Sequence, residues 1–150
     1  MGISLRGLRD ERLERVVPAR PEGLAELRTA VWRYALDHGA NPEVGQAVRL
    51  AVGEALTNIV MHAYVGREAG TMSVQAWLES DRNLCVEVLD DGHGLIPRAD
   101  SPGLGLGMGL MAQMADDLRI SNREERAGTS VYLRFSLSPS ESLCGCGSSS

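Results

Sequence analysis

The run from Pro42 to about Tyr64 constrains this chain's fold more than any other stretch. Apolar residues recur at Val44, Ala47/Val48, Ala51/Val52, Ala55/Leu56, Ile59/Val60 and Ala63. That is the spacing of an amphipathic helix with one face on a core. Asn41-Pro42-Glu43 supplies its start, with an N-cap, a proline at the first helical position and an acid in the first turn. Glu54, Asn58 and His62 are spaced four apart. Four residues advance a helix roughly 40° past a full turn, so the three side chains form one row beside the apolar stripe. Asn is a poor helix-interior residue and Glu is seldom buried without a partner. On spacing alone the row reads first as a solvated edge, and the rest of the chain decides whether it is more.

Leu13 to Val17 reads as an edge strand ended by Pro18, and Glu22 to His38 as a helix stopped by Gly39. In Met72 to Leu78 the apolar set Met72, Val74, Ala76 and Leu78 alternates with Ser73, Gln75 and Trp77, and in Leu84 to Asp90 the set Leu84, Val86 and Val88 alternates with Cys85, Glu87 and Leu89, the period of strands with one face on a core. Ser80-Asp81-Arg82-Asn83 between them predicts a hairpin. A helical run from Leu110 to Asp116, a short strand from Leu118 to Ser121 and a long one from Thr129 to Leu137 follow. The pattern predicts an α+β domain over 1–138, with helices packed on one face of a mixed, mostly antiparallel sheet, and a disordered tail over 139–150.

Fifteen basic against twenty acidic residues give a net charge of −5 without a basic cluster, which argues against nucleic acid or an anionic membrane as partner. No apolar run approaches the ~18 residues of a spanning helix, and the N-terminus lacks a signal-peptide core, so a cytoplasmic protein is expected. Cys85 falls in an apolar strand as a small buried side chain. Cys144 and Cys146 would make half of a zinc site, with no second pair to complete it, and read as part of the tail.

Three later stretches carry chemistry. In Asp90-Asp91-Gly92-His93-Gly94, Asp90 shares the parity of Leu84, Val86 and Val88, so alternation carries its carboxylate to the core face while Asp91 points away. A buried carboxylate is costly unless it finds donors. Gly103-Leu-Gly105-Leu-Gly107-Met-Gly109 precedes a helix, an arrangement suited to wrapping a phosphate with backbone N–H groups. No Gly-Lys-Ser/Thr follows, so this is not a P-loop. Thr129, after Gly128, has the parity of Val131, so its hydroxyl should face inward near Asp90.

Taken together, these stretches resemble a known family. Glu54-x-x-x-Asn58-x-x-x-His62-Ala63-Tyr64 resembles the N-box of the GHKL, or Bergerat-fold, ATP-binding proteins, which include gyrase-type topoisomerases, histidine kinases and certain chaperones. Its His-Ala-Tyr ending is most similar to that of the bacterial anti-sigma factor serine kinases. The Asp90 box, Gly107-Met108-Gly109-Leu110-Met111 and Gly128-Thr129 resemble the family's later boxes, in its order. The resemblance implies a two-layer sandwich that binds ATP with Mg²⁺. Asn58 would ligate the metal and Glu54 would be the catalytic base. Asp90 would read adenine, and Gly92, Gly94, Gly105, Gly107, Gly109, Leu110 and Thr129 would complete the nucleotide site. His62 would serve packing or the helix end. Arg28 sits where such kinases carry a partner-facing arginine.

The function implied is an anti-sigma factor that works as a homodimer, sequesters a sigma factor and phosphorylates serine or threonine on an anti-anti-sigma partner. The lid from Gly94 to Gly103 is short, with Arg98 its only basic residue. That keeps open an ATP-dependent binding switch with little phosphotransfer. A histidine-kinase catalytic domain is a third reading, weakened because the chain shows no long dimerisation helix pair bearing a histidine.

Overall fold

Alternation in the second half of the chain builds a sheet, and the two amphipathic runs of the first half cover it. The computed structural model describes residues 12–80, 82–93, 109–124 and 126–137. In chain order these are β1 (Leu13–Pro18), α1 (Pro21–Asp37), α2 (Pro42–Asn58), a π-helical turn (Ile59–Ala63), β2 (Thr71–Glu79) and β3 (Asn83–Asp90). Helical residues 109–114, β4 (Asp117–Asn122) and β5 (Thr129–Ser136) complete them. The glycines at 94, 103, 105 and 107, the lid with Arg98, and the tail with Cys144 and Cys146 lie outside the described residues.

The strands run in the order β1-β2-β3-β5-β4. The expected mixed, mostly antiparallel sheet is antiparallel at every pairing among the described strands. Short turns join β2 to β3 and β4 to β5, and a short turn can only return the chain antiparallel. β1 is an edge strand, as its sequence predicts.

Register puts the apolar positions on one face. Val74 pairs with Val88, Val88 with Val131, and Leu84 with Phe135. That face meets Leu27 and Val31 of α1 and Val48, Val52 and Leu56 of α2 in one core. Leu27, Leu56, Leu84 and Phe135 are almost wholly enclosed, and each contributes roughly 1.5–3 kcal/mol by leaving water. The other face stays half-open. There Trp77 and Tyr132 meet as a tilted pair with ring centroids 6.4 Å apart, capped by Arg12 and Arg119. Cys85 is buried beside the Tyr132 hydroxyl, and burial pushes its thiol up, which keeps it a poor nucleophile.

Local signals place the helix ends. Asn41 accepts a bond from the Val44 N–H at 2.8 Å as the N-cap of α2, with Pro42 behind it. Gly39 takes φ of +109° just past α1, the left-handed stop that glycine allows. The end of α2 departs from expectation. The helix predicted to run regularly to Tyr64 widens into a π turn at Ile59–Ala63. His62 falls within this wider turn, outside the regular α-helix that holds Glu54 and Asn58, and it is exposed rather than packed.

Candidate functional site

Asp90 ends β3 on the core face, and only 5% of its surface is exposed. It is the buried charged residue among the described residues, and strand parity is the reason. Its Oδ1 accepts the Gly92 N–H at 2.8 Å, and the backbone N–H of Thr129 also donates to the carboxylate. Burial pushes its pKa up and these N–H donors hold it down. The strand end is clamped from the β4–β5 turn. Arg123 donates to the Asp90 carbonyl at 3.1 Å, and a Cβ on Gly128 would lie 1.9 Å from that oxygen. Gly128 also holds φ of +125°, so glycine is required there twice over.

The turn after Asp90 docks on the end of the helix that carries Glu54 and Asn58. Both of those side chains are half-buried. The His93 N–H donates to the Ala63 carbonyl at 3.0 Å, and the His93 ring bonds the Val65 carbonyl at 2.8 Å. A Cβ on Gly92 would stand 2.2 Å from the Ala63 oxygen. The freedom of Gly92 is thus spent on the helix end. Tyr64 joins the same contact: its hydroxyl bonds Asp91 Oδ1, lies 2.6 Å from the Thr71 carbonyl and accepts the Asp91 N–H at 3.1 Å. Burial drives the Tyr64 phenol far above its ordinary pKa, and the Tyr64 bond holds Asp91 below the usual carboxylate range.

Thr129 lies beside Asp90, and the contact it makes there is through its backbone N–H rather than the hydroxyl that parity predicts to face inward. Gly109 opens the helical residues 109–114, with open space where a Cβ would project. Leu110 is half-buried and the next residue, Met111, is core. Gly94, Gly105 and Gly107 fall outside the described residues. Arg28 is half-buried, and its stem lies across Gly53 of α2, 3.2 Å from where a Cβ would be. Part of its length is therefore committed to the seam between the helices, where its Nε is buried without a partner.

The sequence reading did not single out Arg123 or the Tyr64 hydroxyl as parts of the site. Arg123 lies in a turn, where no period marks direction. Tyr64 closes a helix whose last turn is not regular.

No three His, Cys, Asp or Glu gather into a metal-binding group among the described residues. The half-buried Asn58 amide fits a hard cation that draws its remaining ligands from phosphate and water, as Mg²⁺ does in nucleotide sites. A buried carboxylate already holding two backbone donors fits a neutral amino donor such as that of adenine. Among the described residues, no helix is long and apolar enough to cross a membrane.

The sequence pattern of the histidine kinase-like ATPase domain matches residues 17–135. The anti-sigma F factor of Heyndrickxia coagulans is 28% identical over 144 residues, covering 89% of this chain and 96% of that protein. The serine-protein kinase RsbW of Bacillus subtilis is 31% identical over 125 residues, covering 73% of this chain and 78% of its own. Among solved structures, the RsbU and RsbW domains of a Mycobacterium tuberculosis protein align with a TM-score of 0.66 at 20% identity, a likeness of fold. The alignment covers 85% of this chain and 32% of that one.

Proposed function

The chain belongs to the histidine kinase-like ATPase family, and on that premise we propose that it is an ATP-dependent serine/threonine kinase that also acts as an anti-sigma factor. Its phosphate acceptor is an anti-anti-sigma protein, and its second partner is a sigma factor. It works as a homodimer, with Mg²⁺ as the metal. The observation that carries the reading is the docking of the buried Asp90 turn onto the end of the helix bearing Glu54 and Asn58. That docking supports a reading in which Asp90 reads the base, Asn58 ligates the metal and Glu54 accepts the proton in one site. The relatives named anti-sigma F factor and serine-protein kinase RsbW supply the substrate class.

When bound, ATP with Mg²⁺ would supply the γ-phosphoryl group to the partner's hydroxyl oxygen, with ADP as the leaving group. Asp90 accepts the adenine amino group. Asn58 offers its amide oxygen to the metal. Glu54, one helical turn earlier, takes the proton of the partner's hydroxyl, the role a positioned base plays in phosphoryl transfer. Gly109, Leu110 and Thr129, with Gly92, Gly94, Gly105 and Gly107, complete the nucleotide site.

A pull-down from native lysate, with and without ATP and read by mass spectrometry, tests the partner class. Recovery of a sigma factor and a small acceptor protein whose ratio changes with ATP is expected. Recovery of a response regulator in their place would contradict it.

A further inference from the structure

We propose that Tyr64 is a positioning residue for the nucleotide: its hydroxyl ties the turn that carries Asp90 to the helix that carries Glu54 and Asn58. The inference rests on the function proposed above. It starts from what a phenol can do. One O–H donates once and its oxygen accepts. Here the proton is shared between Asp91 Oδ1 and the Thr71 carbonyl, while the oxygen takes the Asp91 N–H. The Thr71 N–H reaches the same Asp91 oxygen at 3.4 Å. A single hydroxyl therefore gathers the start of β2, the residue after Asp90 and the end of the helix.

The surroundings are shaped for that hydroxyl. At Gly70, a Cβ would stand 2.7 Å from Asp91 Oδ1, 2.9 Å from Tyr64 Cε1 and 3.0 Å from the hydroxyl. Any side chain there would press on the pair. Beside it, backbone meets backbone where the His93 N–H bonds the Ala63 carbonyl and Gly92 closes on Ala63. Tyr64 follows the π turn directly, so the irregular helix end and the tie occur together, as π turns often do at functional sites. The ring itself is buried and packs in the core, with Arg67 over its face. Phenylalanine would serve that packing. Only the hydroxyl calls for tyrosine.

The test uses the full chain with its acceptor protein. Tyr64→Phe should fold, raise KM for ATP by about 3- to 10-fold and leave kcat unchanged. Amide exchange at Gly92 and His93 should quicken in the nucleotide-free protein. Asp91→Ala should match it, Asp91→Asn, which keeps an acceptor oxygen, should be milder, and Tyr64→Phe/Asp91→Ala should be no worse than either single change. If Tyr64→Phe does not fold, the two Asp91 variants carry the comparison. Wild-type KM and wild-type exchange in Tyr64→Phe, or additive single effects in the double variant, would overturn the tie alone. A wild-type protein that binds no ATP would overturn the proposed function and this inference together.

Discussion

Asp90 and Asp91 are neighbours with opposite fates. Strand alternation sends the first inward, where burial raises its pKa, and the second outward, where the Tyr64 hydroxyl lowers it. Asp90→Asn keeps the shape and loses the charged acceptor, so ATP should bind about 10- to 100-fold more weakly by calorimetry. Equal affinity would remove Asp90 as the adenine reader. The Asp91 shift has its own consequence. A depressed carboxylate contributes stability that is present above its unfolded pKa and is lost as pH falls through the folded value. The raised Asp90 works the other way, its contribution fading as pH rises through its folded pKa. The urea-unfolding gap between wild type and Tyr64→Phe should therefore be widest near neutrality and narrow as pH falls through and below the ordinary carboxylate range. A gap that does not change with pH would mean the hydroxyl does not engage the ionised Asp91.

Among elements, the legible parts are those with a period or a cap. Asn41-Pro42 marks the start of α2, Gly39 the end of α1, and alternation the core face of β2, β3 and β5. The π turn was not legible because Ile59, Val60 and Ala63 continue the apolar stripe whether or not the last turn widens. Gly92 illustrates a second gap. An Asp-x-Gly-x-Gly pattern signals close approach without saying to what, and at Gly92 the neighbour is Ala63. The β4–β5 turn has no period to give its side chains a direction, so the clamp of Arg123 and Gly128 on Asp90 is not legible in the sequence. Gly128→Ala would force a side chain into left-handed backbone and against the Asp90 carbonyl. It should destabilise the protein by about 1–3 kcal/mol in urea unfolding and weaken ATP binding. A variant as stable as wild type would show that the turn is free to move off β3.

For the whole molecule, the order of the boxes along the chain carried the fold, because two helices and a sheet have few ways to bring a helix end and a strand end together. The helices form one layer and the sheet the other; Asn58 closes α2, Asp90 closes β3, and the turn after Asp90 bonds the π turn that follows Asn58. The central claim is that this meeting point transfers phosphate to a hydroxyl with Glu54 as base. The most direct measurement is transfer of radiolabelled γ-phosphate to the co-purified acceptor by wild type and by Glu54→Gln, beside Mg-ATP binding by each. The account predicts an acid-stable label on serine or threonine from wild type, and from Glu54→Gln unchanged binding with transfer slowed about 100- to 10,000-fold. Full transfer by Glu54→Gln, an acid-labile histidine label, or no transfer by a wild type that binds ATP would contradict it.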